Sequence, residues 1–303
     1  MKPTLSKSQE VKSPYLDQFS IRDLEEFSGV KAHTIRMWEK RYGLLHPDRT
    51  DTNIRTYGLD ELKAILNISY LNQHGYKISK IAALSSEDRQ VLVRSVAERV
   101  NDHMEQLNTL KLAMLSYDEV LFRSTSDAFI KQHGFKSLFE DLYVPLLERI
   151  GVLWQVDSIC PAHEHFVSHL IRQRVIVATA ELGVAMNTTT PLHVLYLPEN
   201  EIHELGLLYV NYALRAAGKA TLYLGPSLPR QDLRHILGPL KQEMVLISML
   251  MVEPSASELQ SHLDTLRAFL PEDRITFWLS GGVIGRAKDV SPPKGMKLFP
   301  KLK

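Results

Sequence analysis

The stretch SIRDLEEFSGVKAHTIRMWEKRYG (residues 20–43) contains two short helical segments, and each of them is closed by a glycine. Ser20 is a suitable N-cap for the first segment, because a serine side chain accepts a hydrogen bond from a free backbone N–H group. Gly29 and Gly43 end the two segments, since glycine readily adopts the left-handed conformation that follows a helix. Two short helices joined by a tight turn predict a helix-turn-helix arrangement.

The residues that follow predict a small hairpin and further helices. LLHPDRTDTNIRTYG (44–58) has a proline and a cluster of Asp, Thr and Asn before a β-branched and aromatic stretch, which is typical of a wing. LDELKAILNISYLNQHG (59–75) and KISKIAALSSEDR (77–89) have apolar residues three and four apart, as amphipathic helices do. We therefore expect a winged helix-turn-helix domain over residues 18–86, after a disordered lead at 1–17.

The middle of the chain predicts a helical bundle. Residues 87–186 contain no convincing strand, and helical runs are interrupted near 115–117, 133–134 and 158–161. Four helices with short connections are the signature of a four-helix bundle. The polar segment at 187–192 is the best candidate for a linker.

Residues 193–303 change to an α/β pattern. Continuous apolar strands alternate with helical segments, which argues for a parallel sheet covered on both faces. The predicted strands are HVLYL (193–197), ATLYLG (220–225), MVLISMLM (244–251) and ITFWLSGG (275–282), and the predicted helices are 204–217, 230–242 and 255–269. We expect an open, doubly wound, Rossmann-like domain whose ligand site lies beyond the carboxyl ends of the strands.

The composition indicates the cellular compartment of the protein more clearly than its binding partners. The 303 residues carry a formal net charge of +1, so any electrostatic signal must be local. The single cysteine, Cys160, excludes an intramolecular disulfide framework and fits a reducing compartment. No apolar run approaches the roughly 20 residues that a membrane span needs, and the N-terminus lacks the apolar core of a signal peptide. We expect a cytoplasmic protein.

A local cluster of positive charge surrounds the second helix and the wing. Thr34 and Arg36 lie toward the start of the helix, and basic residues follow to its end and into the hairpin. Such clusters contact phosphates and base edges in DNA-binding proteins, although a charged helix is more commonly a solvated face. The basic residues are Lys31, Arg36, Lys40, Arg41, Arg49 and Arg55.

The order of these residues resembles the DNA-binding domain of the MerR family over LEEFSGVKAHTIRMWEKRYGLL (24–45), RTDTNIRTY (49–57) and LNQHGYKISKIA (71–82). The form TIRMWEKRYG is similar to the CarA/CarH/LitR branch of that family. The resemblance implies a dimer on double-stranded operator DNA with two-fold symmetry, and we expect self-association as a dimer or a higher oligomer. The candidate DNA contacts are Lys31, Thr34, Arg36, Lys40, Arg41, Arg55 and Tyr57, with Trp38 and Tyr57 also interpretable as core residues.

The loop after the first predicted α/β strand contains NEIHELG, in which Glu201 lies two residues before His203 and Gly206 follows. A cobalt-bound corrinoid needs an axial nitrogen donor, and a carboxylate can hold such a histidine in one tautomer. The glycine permits close backbone approach. On its own the motif is weak, because a histidine near a glutamate is far more often a surface or capping group.

The wider pattern resembles cobalamin-binding domains, in which [DE]-x-H-x-x-G is followed by S-x-L and then G-G. Those elements are Glu201/His203/Gly206, Ser248/Leu250 and Gly281/Gly282, each at the end of a predicted strand. The resemblance implies that His203 is the lower axial ligand of cobalt and Glu201 its orienting partner. Ser248 would bond the displaced dimethylbenzimidazole, and the glycines would leave room for the nucleotide tail. A buried strand and a simple turn are the alternatives for these positions.

The helical region resembles the W-x9-E-H signature of the four-helix cap in CarH-type photoreceptors, here Trp154, Glu164 and His165. The resemblance implies contacts with the upper corrin face, whereas a core tryptophan and an exposed helix edge are the alternatives. Two positions depart from the pattern. Asn200 stands where relatives often have glycine, and Gln155 stands where CarH-type members commonly have a histidine that could ligate cobalt after illumination.

Together these features predict a transcription regulator, acting as a repressor, that is controlled by adenosylcobalamin or methylcobalamin and with light as a candidate stimulus. We expect no enzymatic activity. One alternative is a MerR-like regulator whose C-terminal module is a ligand-free dimerisation or protein-binding domain. Another is a corrinoid carrier of a methyltransferase or mutase, which the N-terminal DNA-binding domain and the absence of a catalytic barrel disfavour.

Overall fold

A computed structural model describes most of the chain, which separates into two compact units, Met1–His169 and Leu170–Lys303. The predicted lead at 1–17 and residues 187–190 of the predicted linker lie outside the described residues. The described ranges are 18–50, 52–100, 103–155, 159–183, 191–255, 257–287 and 289–300.

The N-terminal unit begins with the predicted winged helix-turn-helix. Ser20 caps the first helix, since its Oγ accepts from the Asp23 N–H at 3.2 Å and the Asp23 carboxylate accepts from the Ser20 N–H at 2.8 Å. Gly29 and Gly43 both have left-handed backbones, so the predicted helix ends are confirmed. The elements are α1 (Ile21–Ser28), α2 (Ala32–Tyr42), the antiparallel strands β1 (Asp48–Arg49) and β2 (Arg55–Thr56), α3 (Leu59–Gln73) and α4 (Ile78–Ala82).

The described helical region has five α-helices where the sequence predicted four, because the first predicted run, from 87 to about 115, contains both α5 and α6. A six-residue π-helix, Leu138–Tyr143, also joins α7 to α8. Gly134 has a non-helical backbone (φ 81°, ψ 167°) inside α7, at the predicted break. The helices are α5 (Ser86–Val100), α6 (Met104–Leu115), α7 (Glu119–Ser137), α8 (Val144–Gln155) and α9 (Pro161–Glu181).

The C-terminal unit contains a five-stranded parallel sheet in the order β4-β3-β5-β6-β7. The four predicted strands are present, and β7 is an additional strand that the sequence did not predict. The second predicted helix is shorter than expected, since it ends at Leu237 rather than 242. The elements are β3 (Leu192–Pro198), α10 (Leu205–Ala216), β4 (Thr221–Leu228), α11 (Arg230–Leu237), β5 (Met244–Met249), α12 (Leu259–Phe269), β6 (Ile275–Ser280), α13 (Gly282–Arg286) and β7 (Met296–Phe299).

Apolar side chains pack on both faces of this sheet. One cluster is built around Leu246, Leu263 and Phe277, and the other around Leu195, Leu207 and Ile247. The central strand β5 is buried at every position, as expected for a strand covered on both sides. The doubly wound Rossmann-like fold is therefore confirmed. Within the described part of the chain, no helix combines the length and apolarity that a membrane crossing requires.

Candidate functional site

The chain reverses its direction of winding between β3 and β5. The first strand of the sheet, β3, lies between β4 and β5, and the remaining strands continue beyond β5. In an open sheet of this order, ligands bind in the crevice outside the carboxyl ends of the strands at this switch point. Glu201 and His203 follow β3 and Ser248 lies near the end of β5, so the structure brings these predicted residues to one edge of the sheet.

The Glu201 carboxylate joins the loop after β3 to the loop after β5. Its Oε1 accepts from the backbone N–H groups of Ile202 and His203, at 2.9 and 3.0 Å, and from His203 Nδ1 at 2.6 Å. Its Oε2 accepts from the backbone N–H groups of Met251 and Val252, at 3.1 and 3.2 Å. The carboxylate is thus a fixed acceptor for five donors, and it is buried while His203 is 55% exposed on its side chain.

These contacts set the protonation of Glu201 and the orientation of His203. Burial by itself raises the pKa of the Glu201 carboxyl, but the hydrogen bonds from His203, Val252 and Met251 together hold the pKa below its ordinary value. A carboxylate at Nδ1 places the proton of a neutral imidazole on that nitrogen. Nε2 is then the lone-pair nitrogen of His203, and it is the nitrogen available to a metal.

Asn200 has a left-handed backbone, with φ at +70°. Glycine adopts this conformation without strain, and asparagine is among the few other residues that tolerate it. The departure from glycine at this position therefore preserves the shape of the loop. The Asn200 N–H donates to Ser227 Oγ at 3.1 Å, which ties the loop to the end of β4.

Exposed apolar side chains lie on the two loops that Glu201 joins. Ile202 is 64% exposed and Val252 is 62% exposed, and Met251 is also exposed. The backbone N–H group of each of the three donates to the Glu201 carboxylate, which also holds His203. Adjacent exposed apolar residues on a polar loop mark a binding surface.

Ser248 is almost fully buried on β5, and its hydroxyl has no hydrogen-bond partner among the described residues. Buried polar groups are nearly always paired, so an unpaired one needs an explanation. Leu250, which was predicted to contact the ligand, is 1% exposed and packs in the core cluster of the sheet. Its side chain follows the buried alternative that the sequence left open.

Gly281 allows two loops to touch. A Cβ at this position would lie 2.4 Å from the Leu250 carbonyl oxygen, and the backbone φ is +121°. At Gly282 a Cβ would meet the movable guanidinium of Arg286 at 2.9 Å. Gly281 therefore has a packing role against Leu250, the residue that follows β5, whereas the predicted room for a nucleotide tail stays a prediction. Gly206 is the second residue of α10.

A further polar chain supports this loop and was missed by the sequence interpretation. Glu204 directly follows His203, and its Oε2 accepts from the Tyr223 hydroxyl at 2.7 Å. Its Oε1 forms an ion pair with Arg172 at 3.1 Å. Burial, with the Glu204 contact, raises the pKa of Tyr223 well above its ordinary value, so this hydroxyl stays protonated. The sequence signal that could have revealed this contact is the pair of glutamates, Glu201 and Glu204, on either side of His203.

The predicted upper-face residues belong to the helical region. Glu164 Oε2 lies 3.0 Å from His165 Nδ1, and its Oε1 accepts from Ser168 at 2.6 Å. Both side chains are substantially exposed. Trp154 and Gln155 are in the last turn of α8, and their side chains lie outside the described residues.

The predicted DNA contacts divide into two groups. Thr34 is half-buried, and Arg36, Lys40 and Arg41 are exposed on α2. Lys31 is exposed but forms an ion pair with Glu25 at 2.8 Å, and this ion pair, with the Ala32 N–H, lowers the pKa of Glu25.

The wing residues are engaged with the helix. Arg55 Nε lies 3.1 Å from Glu39 Oε1, and the Tyr57 hydroxyl donates to Glu39 Oε2 at 3.3 Å. Tyr57 has no exposed surface, and burial raises its pKa to about 12. In this conformation the Tyr57 ring fills the core, as the alternative predicts, and its contact with DNA stays a prediction. Trp38 is likewise buried, as the alternative interpretation stated.

Two family models match the N-terminal and middle parts of the chain. The family model "MerR HTH family regulatory protein" matches residues 19–88, and "B12 binding domain" matches residues 106–178. The HTH-type transcriptional repressor CarA of Myxococcus xanthus is 30% identical over 257 residues, which are 83% of this chain and 83% of that protein. The repressor CarH of the same organism is 28% identical over 271 residues, 87% of this chain and 88% of CarH.

One solved structure supports the α/β architecture. The monomethylamine corrinoid protein of Methanosarcina barkeri aligns with a TM-score of 0.50 and 16% identity, covering 62% of this chain and 87% of that one. At this identity the likeness concerns the fold alone.

Proposed function

Because this chain belongs to the family of MerR-type transcriptional repressors that includes CarA and CarH, we propose that it represses transcription from an operator and that bound cobalamin controls its affinity for DNA. Both relatives are named as repressors, so we propose no enzymatic activity. A repressor acts where its operator lies, and the proposal therefore carries a cytoplasmic location with it.

The observation that carries the cofactor proposal is the His203 imidazole, held through Nδ1 by a buried carboxylate at the switch point of the sheet. Ligating histidines commonly donate their other ring nitrogen to a carboxylate in this way. His203 would hold bound cobalamin through Nε2, and the cofactor would supply a cobalt centre that a histidine nitrogen can ligate. Among the described residues no group of three or more His, Cys, Asp or Glu side chains is placed to hold a metal ion.

Two more observations fit the same group. Ser248 offers a buried hydroxyl without a partner, which a nitrogen-containing base could accept from. Ile202, Met251 and Val252 present apolar surface beside His203, which suits the face of a large, flat macrocycle. We propose adenosylcobalamin or methylcobalamin as the bound form. The contacts of Trp154, Glu164 and His165 with the upper face stay a prediction.

The DNA-binding proposal rests on the exposed cations of α2. Arg36, Lys40 and Arg41 form no ion pair with another described residue, unlike Arg55 and Lys31, so they are the residues that we propose for DNA contact. Lys31 is paired with Glu25, and Arg55 is paired with Glu39. Each cation has to leave its carboxylate before it can bind a DNA phosphate. Dimerisation on a two-fold operator is part of this proposal.

Reconstitution tests the cofactor half directly. The purified full chain is incubated with adenosylcobalamin or methylcobalamin, desalted, and examined by absorption spectroscopy. We expect a retained corrin spectrum in the wild type and in His235→Ala, which removes an exposed histidine of α11, and a shifted or lost spectrum in His203→Ala. A colourless wild-type protein would overturn the proposal and favour the regulator with a ligand-free C-terminal module.

The stimulus is tested by an added arm. Gln155 replaces the histidine that is common in CarH-type relatives, so the proposal specifies cobalamin control and does not require light. Size-exclusion chromatography of the adenosylcobalamin-loaded protein, in darkness and after illumination, measures the assembly in each state. A change of assembly on illumination would show that light is the stimulus despite Gln155.

A further inference from the structure

A cleft of about 300 Å³ opens in the N-terminal unit. Four helices line it: α1 and α3 of the winged helix-turn-helix, and α6 and α8 of the helical region. This volume lies at the lower end of the range for small-molecule sites. Nothing in the function proposed above uses it.

The cleft contains two positive charges. Lys111 of α6 is only 7% exposed, and its Nζ donates to the amide oxygen of Asn108 at 3.2 Å. Arg149 of α8 also lines the cleft, and its guanidinium donates to the Glu26 carbonyl oxygen of α1. None of the described residues that line the cleft is an aspartate or a glutamate.

A lysine in this setting is unusual, because lysines are almost never buried without an opposite charge. Burial lowers the pKa of Lys111 to about 8, and the charge of Arg149 acts in the same direction. An anion beside the two groups would compensate both effects and restore the ordinary protonation of the lysine. The apolar remainder of the lining consists of Phe27, Leu66, Met104, Leu107 and Pro145.

We propose that this cleft binds a small organic carboxylate, whose charged end lies between Lys111 and Arg149 and whose apolar body packs against the five apolar side chains. The carboxylate is held by charge-assisted hydrogen bonds from the ammonium and guanidinium groups. Such a ligand would contact helices of both the DNA-binding domain and the helical region. It would stabilise this arrangement of the helices because it binds this arrangement more tightly than any other.

Calorimetric titration of the full chain, without DNA, tests the site. Benzoate is the probe, and benzamide is its neutral counterpart of similar shape. We expect saturable millimolar or tighter binding of benzoate, with benzamide weaker by roughly ten- to a hundredfold, as loss of a charged hydrogen-bonding pair implies. Absence of saturable benzoate binding, or equal binding of benzamide, would overturn the proposal.

Two variants separate the charge of Lys111 from general effects. Lys111→Met keeps the length of the side chain and removes its charge, and it should weaken benzoate binding by the same factor. Lys131→Met, at an exposed position of α7, should leave binding unchanged. Unchanged affinity in Lys111→Met would contradict the assigned site.

Chemical protection of the wild type covers the case of a variant that fails to fold. Benzoate should slow the acylation of Lys111 by acetic anhydride, measured by peptide mass spectrometry, without changing the acylation of Lys131. Equal rates with and without benzoate would overturn the site. Any effect of benzoate on operator affinity rests on the proposed function and is measured in a separate experiment. Failure to bind DNA is then distinguishable from failure to bind the anion.

Discussion

The Ser248 hydroxyl gives a prediction whose sign is opposite in the empty and the loaded protein. In the structure the hydroxyl is buried without a partner, which costs about 1–3 kcal/mol relative to a paired hydroxyl. Ser248→Ala removes this polar group and leaves a smaller apolar side chain in a fully buried strand. Alanine has a lower strand propensity, which reduces the gain. We therefore expect the variant without cofactor to be more stable by about 1 kcal/mol.

Ser280 provides the matched control. It is also buried at the end of a neighbouring strand, β6, but its Oγ donates to the Phe299 carbonyl oxygen at 2.8 Å. Ser280→Ala leaves that carbonyl without its donor, so it should destabilise the sheet by about 1 kcal/mol. The same substitution is thus expected to have opposite effects at two positions.

Native-state hydrogen exchange measures these changes locally, since the amides of β5 and β6 report the opening of the sheet and not of the whole chain. Loading with adenosylcobalamin should reverse the order at Ser248, because the alanine variant loses a hydrogen bond to the ligand, and its affinity should fall roughly tenfold. Destabilisation of the cofactor-free Ser248→Ala protein, or unchanged cobalamin affinity, would refute this reasoning.

Glu201, the two glycines after β6 and two cations of α2 each have a measurable effect on stability or DNA binding. A carboxyl whose pKa is lowered by folding stabilises the folded state above its unfolded pKa, and this stabilisation is lost as the pH falls. The unfolding free energy of the wild type should therefore decline below pH 4.5, and that of Glu201→Gln should decline less. Acid titration followed by circular dichroism measures both. Gly281→Ala should destabilise the fold by about 3 kcal/mol in urea unfolding, because its Cβ would strike a backbone oxygen, while Gly282→Ala should change it by under about 1 kcal/mol because a flexible side chain can move; equal effects would contradict the packing argument. Arg36→Ala should weaken operator binding and relax sequence preference, whereas Lys40→Ala should weaken binding uniformly and reduce the salt slope by about 1 in gel-shift titrations; unchanged affinity in both would exclude α2 as the DNA-contacting helix.

The sequence was sufficient where short-range pattern and burial coincide. β5 is buried on both faces and appeared as a continuous apolar run, and Ser20 with Gly29 marked the ends of α1 through local hydrogen bonds. β7 was not predicted, because its four residues alternate between buried and exposed positions at the edge of the sheet. A strand this short has no pattern that separates it from a loop.

The candidate site was predicted in outline from motif spacing. The pairing of Glu201 with His203 follows from their separation of two residues, but the contacts of Glu201 with Met251 and Val252 depend on the neighbouring strand order of the sheet. The burial of Tyr57, in contrast, could not be predicted from motif spacing. Its position in the wing suggested DNA contact, and the decisive fact, its complete burial, depends on the packing of the whole domain.

We propose that cobalamin, through His203, controls the affinity for operator DNA. The most direct measurement is the operator dissociation constant of the wild type and of His203→Ala, each with and without adenosylcobalamin, at one fixed salt concentration because phosphate contacts make affinity salt-dependent. We predict that the cofactor changes the constant by at least about fivefold in the wild type and leaves it unchanged in the variant. Equal wild-type constants with and without adenosylcobalamin would contradict the account.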